Sequence, residues 1–522
     1  MKLNYKRTIF VGLAFFLICT FWQAYDTIIP KILTDKYGMS QAGSGVIMAL
    51  DNVLALFMLP LFGALSDKCT HKRGRRTPFI LIGTVVAAAA LLCLSFVDNK
   101  QLHNLSDVSA IDDPAALSVL YETQGDKTLK TPDGTEFTLK ETFSESEFAA
   151  IAAQIPGENG KQVTNPDYTD YVVPARHAYA WERTAADPST LILFIGVLFI
   201  ALVAMATFRS PAVALMPDVT IKPLRSKANA VINLMGTAGG ILVLALGMAF
   251  ATGSVKNSLM SYSAFFGIVA VVMLLALGVF LWRVNEPKFA AEMEAESKRY
   301  HIDEAPAAGD AERAADRRKL SRGELRSLLL ILASVVLWFM GYNAVTSKYS
   351  VYAGKVLALD YNSTLMIANV AAIVSYLPVG MLASKIGRKK TILGGIVMLT
   401  CSFLVASFLR EGSPAIVMNC MFALAGVGWA TINVNSFPMV VELSRGGDVG
   451  KYTGFYYTAS MAAQTVTPWI SGMFMDRVGL TTLFPYATIF VALAFVTMLF
   501  VKHGDSRPTP AKSKLEAFDT ED

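Results

Sequence analysis

Long apolar runs recur through the whole 522-residue chain, and they constrain its fold more than any other feature. An α-helix needs about 20 apolar residues to cross the ~30 Å hydrocarbon core of a membrane. We place twelve such spans at residues 8–33, 42–66, 78–97, 190–217, 227–252, 260–284, 326–347, 362–384, 390–409, 414–441, 451–475 and 480–502. Only 17% of the residues are charged, which is too few to cover the surface of a water-soluble protein. A soluble enzyme is therefore excluded, and we expect an all-α membrane protein with twelve transmembrane helices.

The distribution of lysine and arginine predicts how these spans are oriented. Cytoplasmic loops of membrane proteins are enriched in both residues. If the N-terminus is cytoplasmic, about 31 of the 46 basic residues lie on the cytoplasmic side. An even number of spans then places both termini in the cytoplasm. The five cysteines predict no disulfide framework, which fits a bacterial cytoplasmic (inner) membrane.

Three segments lack membrane character. Residues 99–189 are acidic, and alternation around Pro132-Asp133-Gly134 predicts a hairpin, while Ser144 to Glu147 predicts a helix start. We interpret this segment as a small α+β extracytoplasmic insertion. The expected division is three transmembrane helices at 1–98, the insertion at 99–189, helices four to six at 190–284, a cytoplasmic linker with an amphipathic helix at 285–325, a C-terminal six-helix bundle at 326–503 and a cytoplasmic tail at 504–522.

An internal repeat relates the two halves of the chain. Asn52-Val53 matches Asn369-Val370 at an offset of 317, whereas Ala206-Thr207 matches Ala430-Thr431 at an offset of 224. The offset falls by 93, which equals the length of the insertion within error. One insertion into a duplicated six-span unit explains both values. Two parallel six-span repeats, giving two pseudo-symmetric bundles, are the pattern of the major facilitator transporters, whose substrate site lies between the halves.

The loop after the second span carries a more specific motif. It reads Ser66-Asp67-Lys68-Cys69-Thr70 and then Gly74-Arg75-Arg76-Thr77-Pro78-Phe79-Ile80. This resembles the loop of sucrose and related glycoside:cation symporters, which usually reads Ser-Asp-Arg-Cys-Thr, a few residues, and Gly-Arg-Arg-Arg-Pro-Phe-Ile. The resemblance implies sugar uptake coupled to a cation, usually a proton. The span-four aspartate of the plant members is missing here, where Leu202, Met205 and Ala206 stand, so that carboxylate is not carried over.

Three ionisable residues inside the spans are candidates for coupling and substrate binding. Intramembrane charges are energetically unfavourable and usually face a partner or a water-filled path. We predict Asp51 as the cation carrier with Asp26 as the second candidate, and Arg209 as a group that binds sugar hydroxyls or holds a carboxylate charged. The alternatives are a buried structural pair between Asp51 and Arg209, and an Asp26 side chain that reaches the outer interface.

Sugar sites combine flat apolar faces with amides and charges. Residues of suitable type and depth are Arg209, Trp22, Gln23, Tyr25, Asn52, Asn229, Asn233, Trp338, Tyr342, Asn343, Asn433, Asn435, Tyr456 and Gln464. For each of them, ordinary packing is the alternative interpretation. We interpret Trp429 and Trp469 as packing residues.

Charged residues at the cytoplasmic ends of the spans predict a gate. Asp67, Gly74, Arg75 and Arg76 lie beside Asp218, and ion pairs among them would lock helix ends until the transporter opens inward. The second half has no acid next to Gly387-Arg388-Lys389, so we expect its lock to be weaker, with Glu442 near Arg445 and Lys451 as a substitute.

The leading hypothesis is proton-coupled uptake of a di- or oligosaccharide or a glycoside by alternating access. The alternatives are a transporter of a non-sugar solute and a membrane sensor that uses the outer insertion. No span holds a catalytic or metal-ligand cluster, so we expect no enzyme, no cofactor and no metal. The expected partners are a sugar, a proton or sodium ion, and membrane lipid. Nucleic acid is not expected, and the chain is expected to be a monomer.

Overall fold

The computed structural model describes residues 3–131, 135–156, 162–252, 254–300, 320–352, 356–357, 361–410, 413–444 and 448–505. Long helices occur at each of the twelve predicted ranges. In the first half these are α1 (Tyr5–Lys31), α2 (Gln41–Met48) with α3 (Leu50–Asp67), and α4 (Thr77–Asn104). A π-helical turn, Ile32–Lys36, extends α1.

An insertion follows α4, and its helices are short. They are α5 (Pro114–Gln124), α6 (Leu139–Thr142), α7 (Glu145–Ala149) and α8 (Val173–Ala186). Four strands, β1 (Leu129–Lys130), β2 (Glu136–Phe137), β3 (Gln154–Pro156) and β4 (Gln162–Thr164), form two antiparallel pairs, β1 with β2 and β3 with β4. The predicted turn at Pro132–Gly134 lies outside the described residues. The predicted helix start is confirmed, because Ser144 and Glu147 form a capping box at α7.

The remaining helices complete the bundle. They are α9 (Ser189–Asp218), α10 (Arg225–Ala249), α11 (Ser263–Arg283), α12 (Glu286–Arg299), α13 (Arg322–Tyr352), α14 (Tyr361–Ile386), α15 (Arg388–Ala406), α16 (Ala415–Val441), α17 (Val449–Val478) and α18 (Leu483–Leu499). Glycines allow close packing in this bundle. Gly236 and Gly239 of α10 lie directly against Phe15 and Phe16 of α1, where a larger side chain would collide.

Ten segments of the described chain are long and apolar enough to cross a membrane. The two predicted spans outside this set are α18, which is shorter at 17 residues, and α17, which is 30 residues long. The reason for α17 lies in its composition, because Tyr457, Gln464 and Thr465 face a cavity rather than lipid and lower its hydropathy. Apolar length alone therefore gives a smaller number than the twelve expected spans.

The insertion has a hydrophobic core of its own, which includes Leu117, Leu120, Phe148 and Tyr168. Among the described residues, the hydrogen bonds and ion pairs that join it to the membrane helices go to first-half residues. One example is His177 Nε2, which lies 3.3 Å from Asp35 Oδ1. The segment begins later than predicted, since α4 continues without a break to Asn104.

A fully buried ion pair fixes the end of α1 next to this insertion. Lys36 Nζ lies 2.6 Å from Asp98 Oδ1 on α4, and both side chains have no exposed surface. The same ammonium donates to the carbonyl of Met260, 2.7 Å away. Sequence reasoning missed this pair because both residues lie just beyond the predicted spans.

The linker helix is confirmed in its first part. Its N-cap is Asn285, whose side chain accepts a hydrogen bond from Lys288 N. Arg7 of α1 contacts this helix through an ion pair with Glu292 at 3.1 Å and stacks over the ring of Phe289. The rest of the predicted linker, 301–319, and the tail from 506 onward lie outside the described residues.

Candidate functional site

The two halves enclose a central cavity of about 680 Å³. Its walls come from α1, α2, α3 and α9 of the first half and from α17 of the second half. Seven of the predicted site residues line it, namely Trp22, Tyr25, Asp26, Asp51, Asn52, Arg209 and Gln464. The two acidic candidates and the one basic candidate therefore share a single cavity.

Aromatic rings from both halves hold Arg209. Its guanidinium carbon lies 5.3 Å from the centre of the Trp22 ring and 5.0 Å from that of Tyr457. Such contacts stabilise a cation without neutralising it. Within the described chain, Arg209 forms no ion pair with Asp51 or Asp26 within 4.0 Å. The alternative of a direct structural pair between Asp51 and Arg209 is thus not what the geometry shows.

A second cavity of about 240 Å³ shares Phe15, Arg209, Tyr457, Met461 and Gln464 with the first. Its walls combine amides with aromatic rings. The additional predicted residues along it are Asn229, Asn233, Asn433 and Tyr456. The amide of Asn229 already donates to the carbonyl of Val434 at 2.7 Å, so this residue also joins α10 to α16.

Five predicted sugar-binding residues line neither of these two cavities. Asn435 is fully buried, and its amide donates to the carbonyl of Thr431 at 2.9 Å. Trp338 has no exposed surface and packs in the hydrophobic core, Gln23 lies near Gly240 of α10, and the Nδ2 of Asn343 is buried without a hydrogen-bond partner among the described residues. The ring of Tyr342 stacks on the ring of Trp429, with an interplanar angle of 3° and ring centres 3.8 Å apart. Trp429, which we interpreted as a packing residue, does pack against Tyr342 and Phe339 and also lines the second cavity. The rotation of each helix about its own axis determines whether such a side chain lines a cavity or packs in the core.

The predicted gate residues form one charged cluster. Arg76 Nε lies 2.7 Å from Asp218 Oδ2, and Arg75 Nη2 lies 2.7 Å from Asp218 Oδ1. Arg76 also pairs with Asp67. Burial lowers the pKa of the Arg76 guanidinium, but the Asp218 and Asp67 carboxylates outweigh this effect and raise that pKa above its usual value. Arg76 therefore keeps its positive charge within the cluster.

Asp67 extends this cluster across to the second half. Its carboxylate accepts hydrogen bonds from Gly450 N at 2.9 Å and from Lys451 N at 3.0 Å. These groups belong to the first turn of α17, where backbone N–H groups lack intrahelical partners. Beside them, Gly63 of α3 and Gly450 touch backbone to backbone, with no room for a Cβ on either residue. The halves are thus in direct contact at this end.

Glu286 is a member of the gate that sequence reasoning missed. Its buried carboxylate accepts hydrogen bonds from the backbone N–H groups of Arg75, Arg76 and Thr77 at 2.8–2.9 Å, and from the Thr77 hydroxyl at 2.7 Å. Gly74 has a φ of +108°, and a side chain there would collide with this carboxylate. The position of Glu286 just after the sixth predicted span was the one indication in the sequence of a role at the gate. The residues that donate to it, however, lie more than 200 residues earlier in the chain.

The second half has a charged cluster of its own, in which Glu442, the predicted substitute acid, takes part. The fully buried Arg388 pairs with Glu442 at 2.7 Å and donates to Ser226 Oγ at 2.9 Å. Asp505 accepts a hydrogen bond from Arg388 N at 2.7 Å. Lys451 bonds to Asp67 through its backbone N–H while its ammonium lies over the ring of Phe455, and Arg445 lies outside the described residues. The acid that Arg388 needs comes from a distant helix end, so its own loop does not reveal it.

Comparison with protein families identifies the chain. The model for "Major Facilitator Superfamily" matches residues 178–443 and 364–520, and the model for "MFS/sugar transport protein" matches residues 10–102. The chain belongs to the major facilitator superfamily. It is an integral membrane transporter and not an enzyme.

Among curated proteins, the chain is 41% identical over 59 residues to Sucrose transport protein SUC3 of Arabidopsis thaliana, which is 11% of this chain and 10% of that one. It is 33% identical over 96 residues to Proton-associated sugar transporter A of Homo sapiens, which is 18% of this chain and 12% of that one. The matched segments thus span about a tenth of the length of these relatives.

Solved structures share the fold over nearly the whole chain. The proton:xylose symporter XylE, bound to 6-bromo-6-deoxy-D-glucose, matches with a TM-score of 0.57 at 15% identity and covers 96% of both chains. The E. coli fucose:proton symporter FucP matches with a TM-score of 0.58 at 12% identity, covering 96% of this chain and 100% of that one. At these identities the likeness concerns the fold.

Proposed function

We propose that the protein imports a di- or oligosaccharide or a glycoside together with a proton, by alternating access between its two halves. The observation that carries this proposal is the central cavity, where two carboxylates and a guanidinium held by aromatic rings face each other between the halves. The sucrose and proton-associated sugar transporters among its relatives support the same substrate and ion.

The first half supplies the titratable groups for coupling. Asp51 and Asp26 lie on α3 and α1, and Arg209 lies on α9 near both. In a low-dielectric cavity, a carboxylate close to a cation changes its attraction to that cation when it binds a proton. Protonation of Asp51 would thus weaken its attraction for the Arg209 guanidinium, which then interacts more readily with sugar hydroxyls.

Both halves supply groups that suit a sugar. Trp22 and Trp429 offer flat faces, while Asn433 and Gln464 offer amides. The central cavity, at about 680 Å³, lies in the range of roughly 300–1,000 Å³ that is typical for small-molecule sites, and the second cavity adds about 240 Å³ beside it. A site of this size, divided between the halves, favours a substrate longer than one sugar ring.

The gate is closed in this structure, which supports an outward-facing state. Gln464 is 14 residues beyond Gly450 on α17, or roughly 20 Å along the helix. The cavity and the contact between Gly63 and Gly450 therefore lie at different depths. With the basic loops in the cytoplasm, both termini are inside, the twelve helices span the membrane and the insertion is extracytoplasmic.

Uptake into proteoliposomes tests this proposal. Labelled sucrose and maltose are offered with and without an inward proton gradient to the wild type, to Asp51→Asn and to Asp126→Asn, a control for an exposed carboxylate in the insertion. We expect gradient-driven accumulation in the wild type and the control, and only sugar exchange in Asp51→Asn. Normal accumulation by Asp51→Asn would shift the coupling role to Asp26. If the wild type transports neither sugar under any gradient, the substrate class is wrong.

A further inference from the structure

A small cavity lies where the insertion meets the end of α1, apart from the central cavity. It has a volume of about 100 Å³. Lys31 and Asp35 come from α1 and its π-turn, Arg176 and His177 from α8, and Ser254 with Ser258 from the segment between α10 and α11. A water molecule takes up ~30 Å³ in the liquid, so the space suits a very small ligand.

Arg176 is the residue that points to the nature of this ligand. It is 4% exposed, and its Nε is buried without a hydrogen-bond partner among the described residues. Its Nη1 donates to the Tyr168 hydroxyl at 2.8 Å, and it forms no ion pair with a carboxylate in the described chain. Burial lowers the pKa of this guanidinium by more than Tyr168 and the nearby Asp112 raise it.

The other charges of the cavity leave an excess of positive charge. Lys31 donates to the carbonyl of Thr252 and forms no ion pair within the described residues. The one carboxylate, Asp35, accepts a hydrogen bond from the Thr34 hydroxyl at 3.1 Å and lies 3.3 Å from His177 Nε2. The guanidinium of Arg176 and the ammonium of Lys31 therefore face a single carboxylate among the lining residues. The hydroxyls of Ser254 and Ser258 add donors at the same wall.

We propose that this cavity binds a small inorganic anion, held by Arg176 and Lys31. The anion would satisfy the Arg176 Nε and join the insertion, α1 and the α10–α11 segment. It would thereby stabilise the docking of the insertion on the first half. The site is independent of the transported substrate, because none of its residues lines the central cavity.

Thermal unfolding of the purified full-length protein in detergent tests this inference. Inorganic phosphate and, separately, chloride are titrated at constant ionic strength against a buffer anion too large for the cavity. We expect a saturable rise in Tm with at least one of the two. Lys31→Gln and Arg176→Gln should each weaken the apparent affinity by about tenfold or more, since each removes a charged hydrogen bond. Lys127→Gln, an exposed lysine of the insertion, serves as the control and should bind as the wild type does.

Each outcome either supports the inference or overturns it. The inference is overturned if neither anion gives a saturable rise in the wild type, which is the result expected of a cavity that holds only water. It is also overturned if Lys31→Gln retains wild-type affinity. Lys31 lies outside the insertion, so this variant remains informative even if Arg176→Gln prevents the insertion from folding.

Discussion

At the scale of single residues, Arg209 connects the two halves through aromatic rings, with no ion pair among the residues that the structure describes. Trp22 belongs to the first half and Tyr457 to the second, and the guanidinium lies within about 5 Å of both ring centres. Cation–π contacts of this kind are worth roughly 0.5–2 kcal/mol each. The guanidinium is therefore stabilised in place and still has its hydrogen-bond donors available for a substrate.

Replacement of Arg209 should separate charge from geometry. Arg209→Gln removes the charge and both ring contacts, and we expect at least a hundredfold loss of sugar uptake, about 2.7 kcal/mol. Arg209→Lys keeps the charge but not the planar donors, and it should recover only part of the rate. Initial uptake rates in proteoliposomes measure this, with the exposed Arg183→Gln of the insertion as a control. Wild-type rates in Arg209→Gln would contradict the role.

Residue types indicated part of this site, and helix rotation decided the rest. The sequence places Trp338 and Trp429 in spans, and both have a suitable side chain. Only the packing of α13 and α16 shows that Trp338 is in the core while Trp429 lines a cavity. The hydropathy of α13 and α16 is too uniform around the helix to predict which side faces the other half. The acidic and basic residues were easier to predict, because the membrane interior admits few charges.

At the scale of elements, the gate depends on how closely α3 and α17 approach. Gly63 and Gly450 touch through their backbones, and Asp67 caps the first turn of α17. A carboxylate at a helix N-terminus is stabilised by the backbone N–H groups and by the helix dipole. The closed gate thus combines a steric fit with an electrostatic one.

A methyl group at the contact between α3 and α17 should force it open. In Gly63→Ala, the Cβ would overlap the Gly450 carbonyl, and overpacking of this kind costs about 1–3 kcal/mol. We expect the closed-gate population to fall about tenfold or more. Faster hydrogen–deuterium exchange at residues 63–76 and 448–455 would show this. Gly267→Ala is the matched control, because nothing lies within 4 Å of its added Cβ. Equal exchange in both variants would refute the steric role.

Glu286 should stabilise the whole gate loop. Glu286→Gln keeps the shape but lacks the charge that accepts four hydrogen bonds, and we expect the free energy of unfolding to fall by about 2 kcal/mol. Denaturation of the purified protein measures this loss. The control Glu294→Gln, whose only close partner in the described residues is Lys298, should change stability by no more than about 0.5 kcal/mol. A similar loss in both would assign Glu286 no special role.

The elements were more predictable than their contacts. Apolar length placed helices at all twelve ranges, and the capping box placed the start of α7. The partners of Glu286 and Arg388 were not predictable, because each one depends on which helix ends meet at the gate. The mean hydropathy of α17 is also too low to identify it as a membrane span, because several of its polar side chains face the central cavity.

At the scale of the whole molecule, two helical halves meet around a cavity, and the ion pairs seen among the described residues join the insertion to the first half. Gly38, with a φ of +65°, lies against the backbone of His177 and Trp181 on α8. Gln101 of α4 donates to the Thr184 hydroxyl at 3.2 Å and accepts from the Thr190 hydroxyl at 2.6 Å. The two ends of the insertion are therefore held together near one point.

Removal of the insertion should leave a working transporter. Because its ends lie close together and its core is separate, residues 106–186 can be replaced by a short Gly-Ser linker. We expect proton-driven uptake to continue, at a lower rate, since Leu259 and the π-turn become exposed. Uptake by the correctly folded deletion variant, compared with wild type, measures this. Complete loss of transport in a folded variant would instead favour an essential ligand-binding role for the insertion.

The docking of the insertion offers a practical consequence for imaging. The insertion is a domain of some eighty residues that docks on one half. It can serve as a fiducial marker for particle alignment in a protein that otherwise consists largely of apolar helices. An antibody fragment raised against α5 or α7 would add mass and break the pseudo-symmetry that confuses particle alignment. A dye on the insertion, paired with one on the second half, would report the rocking of the halves in single molecules without any label in the transport path.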